Sequence, residues 1–79
     1  MIKIGICDDD KNIVSKIKTY INEYSKEKFI INTYNSGEEL LSLNEKFDVI
    51  FLDIDMIGID GIETAKRLRI YDKDVKIKV

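Results

Sequence analysis

The chain has 79 residues, enough for one small domain and too few for two. Hydrophobic residues make up 44% of it and charged residues 35%, a balance that excludes a disordered chain and is typical of a globular one. The net charge of -2, with no basic stripe, argues against nucleic-acid binding by this chain itself, and its apolar runs are too short to span a membrane.

The first half of the chain predicts two strands that flank one helix. Residues 2–7 alternate and then become wholly apolar, which indicates a buried strand. Residues 11–25 carry apolar side chains at helical spacing, and Asp10 in front of them is the expected N-cap. Residues 29–34 are rich in aromatic and β-branched types, which favour a second strand. The apolar stripe of the helix consists of Ile13, Val14, Ile17, Tyr20, Ile21 and Tyr24.

The middle of the chain predicts a short helix and a third strand. Ser36 and Glu39 form a capping-box pattern, which starts the short helix. Residues 48–53 contain four consecutive apolar residues, a pattern that predicts a central strand buried on both faces. Three leucines of the short helix are expected to point inward: Leu40, Leu41 and Leu43.

The last third predicts one more helix and one more strand. A loop over residues 54–60 leads to a helix from Gly61 to about Arg69, and residues 74–79 alternate like a strand with one wet face. The resulting order, β-α-β-α-β-α-β, predicts right-handed crossovers and a parallel α/β sheet in a single domain over residues 1–79. The inward residues of the longer helix are expected to be Ile62, Ala65 and Leu68.

Acidic residues follow two of the predicted strands. Asp8 and Asp9 come directly after the first strand, and Asp53 ends the third. If these strands lie parallel and adjacent, the three carboxylates share one pocket at the edge where open parallel sheets bind ligands. Clustered like charges need a cation or protons to be tolerated, and carboxylate oxygens suit Mg²⁺. The alternative is a solvated loop that caps the first helix, with Asp53 as a mere strand terminator.

The single cysteine, Cys7, lies inside the first predicted strand. We expect it to act as a small buried hydrophobic residue. A lone cysteine cannot form an internal disulfide, which fits a reducing compartment, and the N-terminus leads into a strand without a signal-peptide pattern. The sequence therefore predicts a cytoplasmic location.

Two segments, IGICDDD and FDVIFLDIDMIGIDGIETAKRLR, together resemble the receiver domain of bacterial two-component response regulators. The sequence of these segments is most similar to that of regulators that carry a LytTR-type DNA-binding domain further along the chain. The resemblance implies a flavodoxin-like (CheY-like) fold, in which five parallel strands take the order 2-1-3-4-5 with helices on both faces. The present chain covers only the first four strands of that pattern, so we expect an incomplete receiver, the N-terminal part of a transcriptional regulator.

The resemblance also implies roles for the acidic residues. Asp53 would accept a phosphoryl group from a phosphohistidine on a sensor histidine kinase, as a signalling protein and not as an enzyme. Asp9 would ligate Mg²⁺ directly and Asp8 mainly through water, Asp53 would be a further metal ligand, and the backbone carbonyl of Asp55 would complete the protein's ligands. Carboxylates can form acyl phosphates, and a metal ion offsets the repulsion between the acids and the phosphoryl group.

The chain departs from the family pattern in four respects. The hydroxyl residue expected after the fourth strand, the lysine after the fifth, and the last two helices would all follow Val79. Ile57 stands where the family commonly has proline. We therefore expect slow phosphorylation and no ordinary switch. The fourth strand would be an unpaired edge of the sheet, which favours self-association. Lys76 and Lys78 on this strand would weaken that association.

Two other functions remain open at this point. The first is a truncated, non-catalytic receiver that serves as a dimerisation or interaction module. The second is a phosphatase, since the segment from Ile50 to Asp55 also resembles the first motif of haloacid-dehalogenase-type phosphatases. That family places its lysine and paired acids downstream of this motif, whereas here the acid pair lies upstream, so the phosphatase is the remote alternative.

Overall fold

Strands and helices alternate along the chain in the predicted order in the computed structural model, which describes residues 1–24 and 28–79. The strands are β1 (Ile2–Cys7), β2 (Phe29–Tyr34), β3 (Val49–Leu52) and β4 (Lys76–Lys78), and the helices are α1 (Lys11–Tyr24), α2 (Gly37–Ser42) and α3 (Gly61–Tyr71). All strands pair in parallel, in the order β2-β1-β3-β4. This order matches the first four strands of a flavodoxin-like sheet, and the predicted fold class is confirmed.

The bounds of β1 and β2 are as predicted, and the other elements differ slightly. Residue 25, the predicted end of the first helix, lies outside the described residues. Strand β3 is one residue shorter at each end than predicted, and α3 continues two residues beyond Arg69. The extra length of α3 is held by the N–H of Asp72, which donates to the carbonyl of Leu68 at 2.9 Å.

Strand β4 is shorter than the predicted 74–79 because the chain before it turns. The Asp72 carboxylate accepts a hydrogen bond from the N–H of Asp74 (3.4 Å). The guanidinium of Arg69 donates to the carbonyls of Lys73 (3.1 Å) and Val75 (2.5 Å), so these groups do not belong to a strand ladder.

The hydrophobic core lies between the sheet and the helices α2 and α3. Two paired residues, Cys7 and Leu52, point into it from β1 and β3. The buried core members are Cys7, Tyr34, Leu40, Phe47, Ile50, Leu52, Met56, Leu68 and Val75. Cys7 is fully buried, and burial together with nearby carboxylates raises its pKa to about 12. Its thiol donates to the carbonyl of Ser36 at 3.3 Å. The prediction that Cys7 is a small buried residue is confirmed.

Two residues predicted to face the core do not. Leu43 is 56% exposed and Ile62 is 55% exposed. The place where α2 meets α3 is filled instead by Gly37 and Thr64, both buried. Because an added Cβ at Gly37 would overlap the Thr64 hydroxyl, the helices approach too closely there for larger side chains. The helical spacing of apolar residues predicted which face of each helix is buried, but it could not show that small residues form the contact between α2 and α3.

The opposite face of the sheet is less completely covered. Ile6 is fully buried, but Phe51 and Val49 of β3 are only half-buried, so the prediction of complete burial on both faces of β3 is wrong. Within the described residues only α1 lies on this face, where Ile13 and Ile17 border a groove with Ile6 and Phe51. The predicted stripe of α1 is accordingly only partly buried: Ile13 is 39% exposed and Tyr20 is 64% exposed, and the side chain of Tyr24 lies outside the described part.

No helix in the described ranges, 1–24 and 28–79, is long and apolar enough to cross a membrane.

Gly61→Ala should destabilise the fold, because Gly61 lies directly against the end of β3. An added Cβ would overlap the backbone oxygen of Asp53 and lie 2.6 Å from the Cα of Ile54. We expect a loss of about 1–3 kcal/mol in the free energy of unfolding, measured by urea titration. Lys66→Ala, at an exposed position of the same helix, is the control and should change stability by less than about 0.5 kcal/mol. Equal stability of the two variants would contradict this account.

Candidate metal and phosphoryl site

Three acidic side chains meet where β1 and β3 end. Asp8 and Asp9 directly follow β1, and Asp53 directly follows β3. The strands are adjacent and parallel, with Cys7 opposite Leu52, so the two chain ends leave the sheet side by side. One carboxylate oxygen from each of the three residues lies within 4.8 Å of the others. The sequence-based expectation that these acids converge therefore agrees with the geometry.

Asp8 is the most enclosed acid of the cluster, with only 9% of its surface exposed. Burial raises its pKa above the ordinary value, and the negative charges of Asp53 and Asp9 act in the same direction. A hydrogen bond from the N–H of Asp10 to the Oδ1 atom of Asp8 (2.9 Å) lowers this pKa. The hydrogen bond from this one amide thus does not offset the effects that disfavour the charged form of Asp8, a condition under which a bound cation is stabilising.

Asp9 and Asp53 each accept an amide hydrogen bond as well. The Oδ2 atom of the exposed Asp9 accepts from the N–H of Ile57 at 3.3 Å. The Oδ1 atom of the half-buried Asp53 accepts from the N–H of Asp55 at 3.3 Å. The side chain of Asp55 is exposed, so its expected contribution to the site is its backbone carbonyl.

Two nearby acids have capping roles outside the cluster. The carboxylate of Asp10 accepts from the N–H of Asn12 (2.9 Å), and its carbonyl accepts from the N–H of Val14 (3.2 Å), as expected for the predicted N-cap of α1. Asp60 caps α3 by accepting from the N–H of Glu63 at 2.8 Å. This second cap was not predicted from the sequence, although Asp60 followed three residues later by Glu63 is a recognisable capping pattern.

The donor set of the cluster suits Mg²⁺. All available ligand atoms are oxygens, and Mg²⁺ prefers hard oxygen ligands, keeps several waters and is held by one or two carboxylates. Burial first, and then the charges of Asp53 and Asp9, raise the pKa of Asp8, and a bound cation would stabilise its charged form against both effects.

The comparison with known proteins agrees with this geometry. The family model for the response regulator receiver domain matches residues 4–79. The chain belongs to this family. Its fold and sequence are those of a receiver domain of the response regulators that act in phosphorelay signalling.

Individual relatives of this receiver domain are similar in both sequence and structure. The sensory transduction protein LytT of Oceanobacillus iheyensis is 35% identical over 96% of the chain. The response regulator TrrA of Thermotoga maritima, crystallised with Mg²⁺ and a beryllofluoride group, is 38% identical over 98% of the chain, with a TM-score of 0.84. TrrA bound to the histidine kinase ThkA superposes with a TM-score of 0.81 at the same identity and coverage of the chain.

The receiver domain described here is shorter than these relatives. It spans 32% of the length of LytT and 66% of the TrrA chain, and the TrrA chain in the ThkA complex is covered to the same 66%.

Asp8→Asn should raise the melting temperature in metal-free buffer at neutral pH. The substitution removes one of three clustered charges, and the amide oxygen can still accept the N–H of Asp10. We expect a gain of about 1 kcal/mol, or about 4–8 °C for a domain of this size. Asp74→Asn, which removes an exposed charge outside the cluster, should leave the melting temperature nearly unchanged.

The pH dependence of this effect follows from the raised pKa of Asp8. Because the folded-state pKa lies above the ordinary aspartate value of 3.8, the wild type loses stability as pH rises from that value through the folded pKa. The advantage of Asp8→Asn should therefore disappear below about pH 3.8 and be complete at neutral pH. Identical melting curves for the two proteins at neutral pH would show that the cluster is not repulsive.

Proposed function

We propose that this receiver domain accepts a phosphoryl group on Asp53 from a phosphohistidine of a sensor histidine kinase. In this proposal Asp9 ligates Mg²⁺ directly, Asp8 holds the ion mainly through water, Asp53 is a further metal ligand, and the carbonyl of Asp55 completes the protein's ligands. The convergence of three carboxylates at the ends of β1 and β3 is the observation that carries the proposal. The structures of TrrA with Mg²⁺ and beryllofluoride and with the kinase ThkA support it by similarity.

The hydrogen bonds of Asp53 suggest which oxygen reacts. Its Oδ1 atom accepts the N–H of Asp55, a hydrogen bond that draws electron density from that oxygen, so we assign the attack to Oδ2. In the transfer, the P–N bond of the phosphohistidine breaks, its electron pair stays on the imidazole, and a new O–P bond forms at Asp53. Bound Mg²⁺ would supply charge neutralisation between the acids and the incoming phosphoryl oxygens. Asp53 is consumed in each transfer, so the domain acts as an acceptor and not as an enzyme.

The proposal extends to the context in which the domain works. We infer that it belongs to a transcriptional regulator in the cytoplasm, where the free buried thiol of Cys7 would remain reduced. The receiver-family match makes this function, and not the phosphatase alternative, the one we retain.

Phosphorylation can be tested with acetyl phosphate and Mg²⁺, followed by intact-mass spectrometry. The wild type should gain the mass of one phosphoryl group, and Asp53→Asn should gain none because an amide cannot form the acyl phosphate. Asp55→Asn is the matched control, since it removes an exposed carboxylate two residues away and keeps the backbone carbonyl. If the wild type forms no adduct while Mg²⁺ is present, the alternative of a non-catalytic interaction module is favoured instead.

A second proposal concerns self-association. Strand β4 is at one edge of the described sheet, and an unpaired edge is a template for strand addition. Its exposed side chains, Lys76 and Lys78, flank Ile77, so two β4 strands paired antiparallel about Ile77 would place Lys76 opposite Lys78 of the second copy. We propose a weak dimer of this chain, opposed by that repulsion and therefore strengthened by salt.

Lys78→Glu should strengthen this dimer roughly tenfold, because both lysine–lysine pairs become lysine–glutamate pairs. Light scattering over a concentration series at low and high salt measures the effect. Salt should promote dimerisation of the wild type and weaken that of Lys78→Glu. Monomers of both proteins at every concentration would refute the edge-to-edge dimer.

A further inference from the structure

The loop between β3 and α3 is joined to the acid cluster by a backbone amide. The N–H of Ile57 donates to the Oδ2 atom of Asp9 at 3.3 Å, across 48 positions of sequence. The side chain of Ile57 takes little part in packing, since 87% of its surface is exposed. The contribution of this residue to the site is therefore its amide.

From this contact we propose that the amide of Ile57 is a positioning group for Asp9 as a metal ligand. The inference rests on the proposed Mg²⁺ site and adds to it a residue that supplies no ligand atom. Asp9 is exposed, and an exposed aspartate is otherwise free to rotate about its side-chain bonds. With Oδ2 held by the amide, the carboxylate keeps one fixed orientation while one of its oxygens lies within 4.8 Å of those of Asp8 and Asp53. Metal-ligating carboxylates are generally oriented by such outer hydrogen bonds.

The amide can act in this way because the loop around it is itself held. The N–H of Ile59 donates to the Oε2 atom of Glu38 in α2 at 3.3 Å. At the end of the loop, the N–H of Gly61 donates to the carbonyl of Ile54 at 2.8 Å. Gly58, between the two anchored amides, has a φ of 86°, a left-handed conformation that favours glycine. These contacts tie the loop to α2 and to its own start, so the Ile57 amide has a defined position relative to Asp9.

The position of this donor is also what makes the proposal testable. Proline, which the receiver family commonly has at this place, carries no N–H and cannot make the contact. The hydrogen bond to Asp9 is thus a property that Ile57 gives to this chain. Because the side chain of Ile57 is exposed, substitution by proline removes the N–H with little loss of packing.

The experiment is a calorimetric Mg²⁺ titration of the 79-residue chain and its variants. Ile57→Pro should bind Mg²⁺ about tenfold more weakly than the wild type, because the outer hydrogen bond to the ligand is lost. Ile57→Val, which keeps the amide, is the control and should bind like the wild type. Asp9→Asn shows how strongly the chain binds Mg²⁺ when the carboxylate of Asp9 is absent.

A second variant separates the hydrogen bond from the rigidity of proline. Chemical synthesis can replace the amide between Met56 and Ile57 by an ester, which removes the N–H without fixing φ. This variant should weaken Mg²⁺ binding to the same extent as Ile57→Pro. Wild-type affinity in the ester variant overturns the proposal, and tighter binding also does, since it would mean that the amide competes with the ion.

Amide hydrogen exchange in metal-free buffer gives a readout that does not depend on the ion. Exchange at Ile57 should be several-fold faster in Asp9→Ala than in the wild type, because the acceptor is gone. Equal exchange rates overturn the hydrogen bond on which the inference rests. A wild type that binds no Mg²⁺ overturns the metal site and the positioning role together, and protected exchange at Ile57 would then identify the contact as purely structural.

Discussion

The parallel, in-register pairing of β1 with β3 is the constraint on which the site depends. With Cys7 opposite Leu52, the chain leaves both strands at the same edge, and the acids that follow cannot avoid one another. Their mutual repulsion and the burial of Asp8 oppose folding, as the raised pKa of Asp8 reflects. The protein tolerates this arrangement by supplying amide donors from the flanking loops, and a cation would complete the compensation.

The arrangement sorts the acids of this edge into two groups with different chemistry. Asp10 and Asp60 direct their carboxylates to the first turns of α1 and α3, where free amides and the helix dipole stabilise negative charge. Asp8, Asp9 and Asp53 face one another instead. The sorting follows from position, since a residue directly before a helix meets the free amides of the first helical turn, whereas a residue directly after a strand depends on amide donors from the flanking loops.

Sequence patterns were sufficient where a local rule decides the structure. The bounds of β1 and β2, the Ser36 cap and the convergence of the acids follow from alternation, capping chemistry and parallel topology. The Ser36 hydroxyl accepts the N–H of Glu39 at 3.1 Å, although the Glu39 carboxylate reaches the N–H of Asn35 and not that of the cap itself. The convergence of the acids needed only the rule that the ends of adjacent parallel strands share an edge, whereas the register of β1 on β3 is known from the structure.

Patterns failed where tertiary packing decides. Leu43 and Ile62 repeat with helical spacing but are exposed, because α2 and α3 meet through Gly37 and Thr64. Phe51 is half-exposed because few helices cover that face of the sheet. The residues of β3 alone do not determine how many helices pack there. The amide of Ile57 carries no sequence signal at all, since every residue except proline has one.

Because helices cover the two faces of the sheet unequally, local unfolding should begin on the less covered face. None of the described residues of α1 is fully buried, whereas α2 and α3 share the closed core, so detachment of α1 should be the opening of lowest free energy. The segment that joins α1 to the sheet is the one that carries Asp8 and Asp9. An ion bound between that segment and Asp53 would stabilise the state in which α1 is packed against the sheet. The fraction of molecules with a bound ion would then determine how often α1 detaches.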